Sequence, residues 1–252
     1  MKLSVAIIAF NEAYNISRTL EAINDFVDEI IIVDSHSIDD TKLIAEKFSK
    51  VKFYTEDWKG YGLQKKSAID KCNGEWILVL DADEEVSKEL KTVIKKIIHQ
   101  VDNNFNVYRI RMVCNILNRR IKFGGWSTTT KTILFKKTSG EIKAKAVHEY
   151  WETSEKVGYI KAPIIHYTYR NLDEHVSKMN SYTTNIAKEN ANSNKKISLL
   201  KVFFAPIFQF LKMYVFRLGF LDGFRGFYLA VFCYFYFFLK YYKLYNENLN
   251  QS

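Results

Sequence analysis

The sequence predicts an α/β protein: a mostly parallel sheet flanked by helices, followed by an aromatic, basic, helical C-terminal segment. Three observations carry this expectation. Apolar runs at 3–9, 30–33 and 76–80, with a more polar one at 51–54, alternate with helix-like stretches in the manner of βαβ units. The run Trp76-Ile77-Leu78-Val79-Leu80 shows no polar alternation, as expected of a strand buried on both faces. Each run is followed by acidic or amide residues, namely Asn11-Glu12, Asp34-Ser35, Glu56-Asp57 and Asp81-Ala82-Asp83-Glu84. Parallel strands share one carboxyl edge, where open α/β sheets bind ligands. One rim therefore gathers these groups, whereas charge placed only for solubility has no reason to prefer strand ends.

Taken in order, Met1-Lys2-Leu3 with the apolar residues up to Phe10 superficially resembles a signal peptide. Asn11-Glu12 interrupts it and no small-residue cleavage site follows, so the segment reads as the first strand. Helices are expected at 11–23, at 41–48 behind the capping-box spacing Ser37-Ile38-Asp39-Asp40, and at 63–71, closed by Asn73-Gly74. A fourth helix at 87–100 places Val86, Leu90, Val93, Ile94 and Ile97 on one face and lysines on the other. Strands follow at 106–113 and 131–135, joined by a loop holding Gly124-Gly125-Trp126. Short strands are expected within 157–165 and a helix at 172–188, and the polar stretch 189–196 reads as a hinge.

A chain of 252 residues, 48% apolar, can hold one large α/β domain with appendages, and two prolines and ten glycines argue against disorder. Cys72, Cys114 and Cys233 are odd in number and lack CxxC spacing, which argues against a disulfide framework or zinc site and fits a reducing cytosol. The net charge of +9 is concentrated. Within 195–245, Lys195, Lys196, Lys201, Lys212, Arg217, Arg225, Lys240 and Lys243 face one acid, Asp222, and 19 of the 39 aromatic residues fall there. Cationic and aromatic together point to an anionic membrane surface before a nucleic acid, whose phosphates the acidic rim would repel. The longest uncharged stretch there, 226–239, has 14 residues, whereas a spanning helix needs about 20. Helices lying in the interface are expected, the alternative being an aromatic pair packed as core.

The chemistry concentrates after the third apolar run. In an extended segment Asp81 and Asp83 project to the same side and can converge on one hard cation, or on a cation and a ribose. The plainer reading is an acidic turn with Asp83 capping the next helix.

Ala9-Phe10-Asn11-Glu12, Ile32-Val33-Asp34-Ser35, Trp58-Lys59-Gly60-Tyr61-Gly62-Leu63-Gln64-Lys65 and Leu80-Asp81-Ala82-Asp83-Glu84 resemble, in order, the nucleotide-sugar-binding half of family 2 glycosyltransferases of the Rossmann-like GT-A fold. Val147-His148-Glu149, His166-Tyr167-Thr168-Tyr169-Arg170 and Gly219-Phe220-Leu221-Asp222-Gly223 extend the match toward the bacterial branch that adds a glucose to the lipopolysaccharide inner core. The resemblance implies a glycosyltransferase domain over 1–194, with its nucleotide-sugar half at 1–105 and acceptor half at 106–194. A membrane-associating segment would follow at 195–252.

It further implies an inverting transferase that moves a hexose, glucose by this likeness, from a UDP-sugar to a hydroxyl of a lipid-linked saccharide, on the inner face of the cytoplasmic membrane. Mg²⁺ or Mn²⁺ would bridge the leaving diphosphate as a Lewis acid, with Asp83 the first ligand and Asp81 and His148 further candidates. Asp81 would otherwise meet the ribose, Asp34 the base, and Lys65 the base or a phosphate. Phe10, Asn11, Glu12 and Ala82 would complete the nucleotide-sugar pocket. Glu149 is the candidate base for the acceptor hydroxyl, a poor nucleophile at neutral pH, and His148 could ligate the metal or steady the leaving phosphate. Glu12 and Asp34 have the plainer reading of helix caps, Lys65 of a solvated side chain, and Glu149 of a surface carboxylate.

Two departures stand out. Trp126-Ser127-Thr128-Thr129-Thr130-Lys131-Thr132-Ile133 lacks the Asp and Arg that relatives carry after the loop tryptophan, and His36 replaces a glycine. Two other functions compete. A polyprenyl-phosphate glycosyltransferase would need no general base, and a non-enzymatic reading is a basic membrane or nucleic-acid adaptor on an α/β scaffold, with the rim acids arguing against nucleic acid.

Overall fold

The computed structural model describes residues 1–100, 104–117, 119–126, 129–144, 149–193 and 195–250, without the side chains of 144, 149, 150 and 250. The chain forms two compact units, residues 1–112 with 130–166 and residues 113–129 with 167–252.

The first unit begins β1 (Leu3–Ala9), α1 (Ile16–Ile23), β2 (Glu29–Asp34), α2 (Thr41–Ala45), β3 (Val51–Thr55), α3 (Tyr61–Lys71), β4 (Trp76–Asp81), β5 (Glu84–Val86) and α4 (Lys88–His99). It continues with β6 (Val107–Ile116), which runs on into the second unit, where β7 (Arg119–Arg120) pairs with it. β8 (Thr130–Lys136), β9 (Glu141–Ala144), β10 (Glu149–Glu152) and β11 (Val157–Tyr169) complete the strands. The sheet order is β3-β2-β1-β4-β8-β6-β11-β5, and β9 and β10 form a separate antiparallel ribbon. β3, β2, β1 and β4 are mutually parallel, β8 pairs antiparallel with both β4 and β6, and β5 pairs antiparallel with β11.

Burial accounts for the composition of each strand. β1, β2 and β4 are interior and covered on both faces, so their side chains are almost all buried. β3 lies at the sheet edge and alternates, which is why its sequence is the more polar. α1 packs Ile16, Thr19, Leu20 and Ile23, one helical stripe, into this core. The Ser87 hydroxyl accepts the Leu90 N–H at 3.2 Å and starts α4, so Ser87 rather than Asp83 caps that helix.

At the amino edge, Glu29 is buried and accepts hydrogen bonds from Ser4 Oγ (2.7 Å), Asn73 N (2.5 Å) and Lys52 Nζ (3.0 Å). Burial pushes its carboxyl up, but these donors outweigh burial and bring it down to about 2. Gly74 closes the same corner, because a Cβ there would lie 2.6 Å from Ser4 N.

Several boundaries differ from the sequence expectation, each for a local reason. The first helix starts at Ile16 rather than residue 11, because Asn11 is left-handed (φ 55°) and the chain turns there. Ser37 does not open a capping box. It bonds back to Asp34, and Asp40 precedes α2 without a side-chain cap. α3 starts at Tyr61, two residues earlier than expected, behind Gly60 at φ 87°, and ends at Lys71 as expected. β11 is one strand of 13 residues instead of several short ones.

In the second unit α5 (Leu172–Asn192) is followed by α6 (Leu199–Leu211), a π turn at Lys212–Phe216, a 3-10 turn at Gly219–Asp222 and α7 (Phe224–Asn250). The expected hinge at 189–196 is helical through Asn192, because Ala187 and Ala191 pack against Leu244 of α7. This unit therefore takes in α5, which the sequence reading grouped with the first 194 residues. Its core joins Cys114, Ile116 and Ile121 to Met213, Leu229 and Ala230. Buried His175 stacks between Tyr169 (3.8 Å) and Phe232 (4.1 Å), and its Nδ1 lies 2.8 Å from Tyr228 Oη. Burial, with Lys178 nearby, depresses this imidazole to about 4, so it is neutral at pH 7.

Candidate active site

The four parallel strands bring their carboxyl ends to one rim of the first unit. Register pairs Ala9 with Asp34 and Ile8 with Asp81, so Asp34 and Asp81 stand within one residue of each other along the strand direction on either side of β1.

At the end of β1, Phe10 is exposed. Asn11 braces the neighbouring loop: its N–H donates to Ser37 Oγ (2.7 Å) and its Oδ1 accepts Ile38 N–H (2.9 Å). Glu12 accepts from Asn15 Nδ2 (2.8 Å) and its N–H donates to Thr41 Oγ1 (2.8 Å). Asp34 is buried, and its two oxygens accept from Ser37 N (2.7 Å) and Ser37 Oγ (2.5 Å). This carboxylate shapes the turn after β2. Gln64, fully buried on α3, donates to Ser35 Oγ at 3.2 Å and ties α3 to the same turn.

Past β4 the acidic motif separates into two environments. Residues 82 and 83 form a turn, so the extended geometry that would align Asp81 with Asp83 is interrupted. Asp81 is held by two ammonium groups, Lys65 on Oδ1 (2.7 Å) and Lys131 on Oδ2 (2.6 Å). Lys131 also reaches Glu84 Oε1 (2.7 Å), whose other oxygen accepts Asp81 N–H at 3.0 Å. Burial opposes ionisation of Asp81, but Lys131 and then Lys65 outweigh it and hold the carboxyl well below the usual carboxylate range. Burial likewise opposes the charge on Lys131, and Asp81 with Glu84 raises it well above the usual lysine range. Lys65, at 7% side-chain exposure, is part of this network rather than a solvated surface group.

Ala82 contributes its carbonyl, which accepts Thr19 Oγ1 (2.8 Å) and fixes the turn to α1. Asp83 faces His166 of β11, with Oδ2 and Nε2 3.3 Å apart. His148 lies outside the described residues. Glu149 is described only by its backbone, which opens β10 opposite Ala144.

These donor sets differ in what they can hold. Among the described residues no group of three or more His, Cys, Asp and Glu forms a metal cage. A Mg²⁺-like cation, however, takes one or two protein ligands and fills the rest of its shell with water and substrate phosphate. The Asp83 carboxylate beside the His166 imidazole fits that pattern. Asp81 already carries one ammonium group on each oxygen, and that positive charge beside it disfavours a cation there.

Sequence reasoning missed Lys131, Glu84 and His166 as site residues. His166 stands in a quoted motif and Glu84 adjoins Asp83, so both carried a signal. Lys131 carried none, because its partner is 50 residues away in sequence.

The fold and this rim are those of a glycosyltransferase, the class that comparison with known proteins gives. The description of glycosyl transferase family 2 matches residues 4–158, and the chain belongs to that family. A Rickettsia felis protein described as an uncharacterized glycosyltransferase is 32% identical over 250 residues, covering 90% of this chain and 83% of its own. LpsC of Rhizobium meliloti, a lipopolysaccharide core biosynthesis glycosyltransferase, is 28% identical over 232 residues, with 87% and 82% covered. The crystal structure of S. aureus TarS 1-349 aligns with a TM-score of 0.51 at 14% identity, covering 100% of this chain and 91% of that one. That likeness bears on the fold, which is GT-A.

Proposed function

We propose that this chain is an inverting glycosyltransferase that moves a hexose, glucose by the resemblance, from a UDP-sugar to a hydroxyl of a lipid-linked saccharide such as a lipopolysaccharide core. The observation that carries the reading is the rim itself. Asp34, Lys65, Asp81 and Asp83 lie at or beside the carboxyl ends of adjacent parallel strands, within the region that matches family 2. The lipopolysaccharide acceptor is supported by the likeness to LpsC over most of both chains.

In this mechanism the turn that Asp34 shapes receives the nucleoside, with Phe10, Asn11 and Glu12 beside it. Lys65, paired with Asp81, stands where it could meet the base or a phosphate of the donor, and Lys131 holds Asp81 and Glu84 in place. Asp83, with His166, would hold a divalent cation, Mg²⁺ or Mn²⁺, which when bound stabilises the leaving diphosphate as a Lewis acid. The acceptor hydroxyl attacks the anomeric carbon in line through an oxocarbenium-like state, and Glu149 takes its proton. His148 is proposed to ligate the metal or to steady the leaving phosphate. With such an acceptor the enzyme would work as a peripheral protein on the inner face of the cytoplasmic membrane.

The test is a panel of UDP-sugars with Mg²⁺ or Mn²⁺, read by donor hydrolysis and by thermal shift of the purified protein. UDP-glucose is expected to give both signals. Absence of both with every UDP-sugar would overturn the proposal.

A further inference from the structure

The outer surface of α6 and the turn after it have no assigned role in sugar transfer. Leu199, Leu200, Phe203, Phe204, Ile207, Phe208 and Leu211 are all exposed and recur at helical spacing, so they form one continuous stripe. The opposite side of α6 is packed: Val202 and Pro206 are buried, and Phe210 joins the core with Leu229 and Ala230 of α7. The apolar surface continues past the helix through Val215, Phe216, Leu218, Phe220, Leu221 and Phe224, the last 80% exposed. Only 17% of Leu199–Phe216 is buried, so α6 is not the core helix that its composition alone allows. A contiguous apolar surface of this kind marks an interaction site.

The turn is also braced. Asp222 accepts the N–H groups of Lys122 (3.1 Å) and Phe123 (2.8 Å), and Gly124 N–H donates to Arg217 O (2.9 Å). At Gly226 a Cβ would lie 1.7 Å from Gly219 O, so only glycine lets α7 start against the 3-10 turn. The exposed rings at 216–224 are thus held in place. The loop carrying Gly124-Gly125-Trp126 is fixed to the same turn.

We propose that the outer face of α6 and the turn 216–224 form a docking surface for an anionic phospholipid bilayer, with α6 lying in the plane of the interface. Charge complementarity selects this occupant. Lys195, Lys196, Lys201, Arg217 and Arg225 are exposed around the apolar stripe, and the one acid of the segment, Asp222, is spent on backbone N–H groups. Cations at headgroup level with apolar rings below them are the pattern of an interfacial helix. Leu199–Phe216 is long and apolar enough to span by length and composition. Its contact with α7 along one side, and Lys201 and Lys212 within it, favour the in-plane arrangement. This inference locates the membrane partner of the proposed function on a specific surface, and the loop at 122–126 would then sit beside the lipid that presents the acceptor.

The test is flotation of the full-length protein with phosphatidylcholine vesicles, with and without phosphatidylglycerol. The wild type should float with the anionic vesicles at low salt and bind more weakly, but still measurably, at high salt. Phe204→Ser, Phe216→Ser and Phe224→Ser together should cut partitioning by about 10-fold or more. Ile38→Ser, on a still more exposed apolar residue of the first unit, should leave it unchanged. Lys201→Glu with Arg225→Glu, which alters no apolar residue, should abolish the preference for anionic vesicles. A wild type that stays in the soluble fraction at low salt would overturn the proposal, as would triple and charge-reversed variants that float as the wild type does. Sedimentation as a dimer without flotation would assign the face to a second copy, and resistance to alkaline carbonate extraction would show a spanning helix instead. Donor hydrolysis measured without vesicles separates the two readings: its absence with flotation intact refutes the proposed function and leaves the docking surface standing.

Discussion

Lys131→Met tests the charge network at the rim most directly. The substitution keeps the aliphatic stem and removes an ammonium group that bonds Asp81 at 2.6 Å and Glu84 at 2.7 Å. Breaking a fully buried ion pair from one side costs about 3–5 kcal/mol, and hydrogen bonds to charged groups contribute about 1.5–3 kcal/mol. Lys131 keeps 36% of its side chain exposed, and Asp81 retains Lys65. Solvent screening therefore lowers the expected loss to about 2 kcal/mol, a drop in Tm of about 4–8 °C for a chain of this size.

The pH dependence has a definite sign. Asp81 is depressed in the folded state, so its contribution is complete above its unfolded value near pH 4 and is lost only as pH falls through the lower folded value. Lys131 is raised, so its contribution is complete below its unfolded value near pH 10 and is lost as pH rises through the higher folded value. The gap between wild type and variant should then be flat between about pH 5 and 9. Urea unfolding across that range measures it. A gap below about 0.5 kcal/mol at pH 7, or one that closes between about pH 6 and 8, would refute the assignment of Lys131 as the cation that neutralises this pair.

Three further outcomes are expected. Asp83→Ala should reduce donor turnover by about 100-fold or more with the thermal midpoint nearly unchanged, and excess chelator should do the same to the wild type; wild-type turnover in either case refutes a cation at Asp83. Glu149→Gln keeps the shape but cannot take a proton, so kcat should fall about 100-fold while the KM for donor barely moves; an unchanged rate would favour a polyprenyl-phosphate acceptor. Glu29, lowered from 4.5 to about 2 with its side chain 2% exposed, contributes about 3 kcal/mol above about pH 4.5 that is lost as pH falls toward 2. Glu29→Gln should remove much of this at pH 7 and flatten the acid limb of the stability curve, and an unaltered acid limb would count against the hydrogen bonds at that corner.

What was legible in sequence is what short-range patterning encodes. Continuous apolar runs at 3–9, 30–33 and 76–80 are strands buried on both faces, and because each ends in a polar residue, the run of Asp34, Asp81 and their neighbours along one rim follows from parallel pairing alone. Glycine and serine positions are legible only in part. Ser87 reads correctly as a helix start, whereas Ser37 satisfies the same spacing and instead serves Asp34, because a capping box and a turn after a strand draw on the same residue types.

Tertiary structure decided which charges meet. Lys131 stands in a strand that pairs antiparallel with β4, and only that pairing brings its ammonium group to Asp81, 50 residues away in sequence. It also decided the surroundings of the acidic motif: the turn at 82–83 gives Asp81 two lysines and Asp83 a histidine from β11, where an extended chain would have aligned both carboxylates. The same holds for the aromatic segment. Composition allows a core pair or a surface, and the packing of α7 against α5 and α6 buries one side of α6 and leaves the Phe204 and Phe208 side open. Hydrophobic periodicity marks a face as apolar, but it carries no record of what that face will cover.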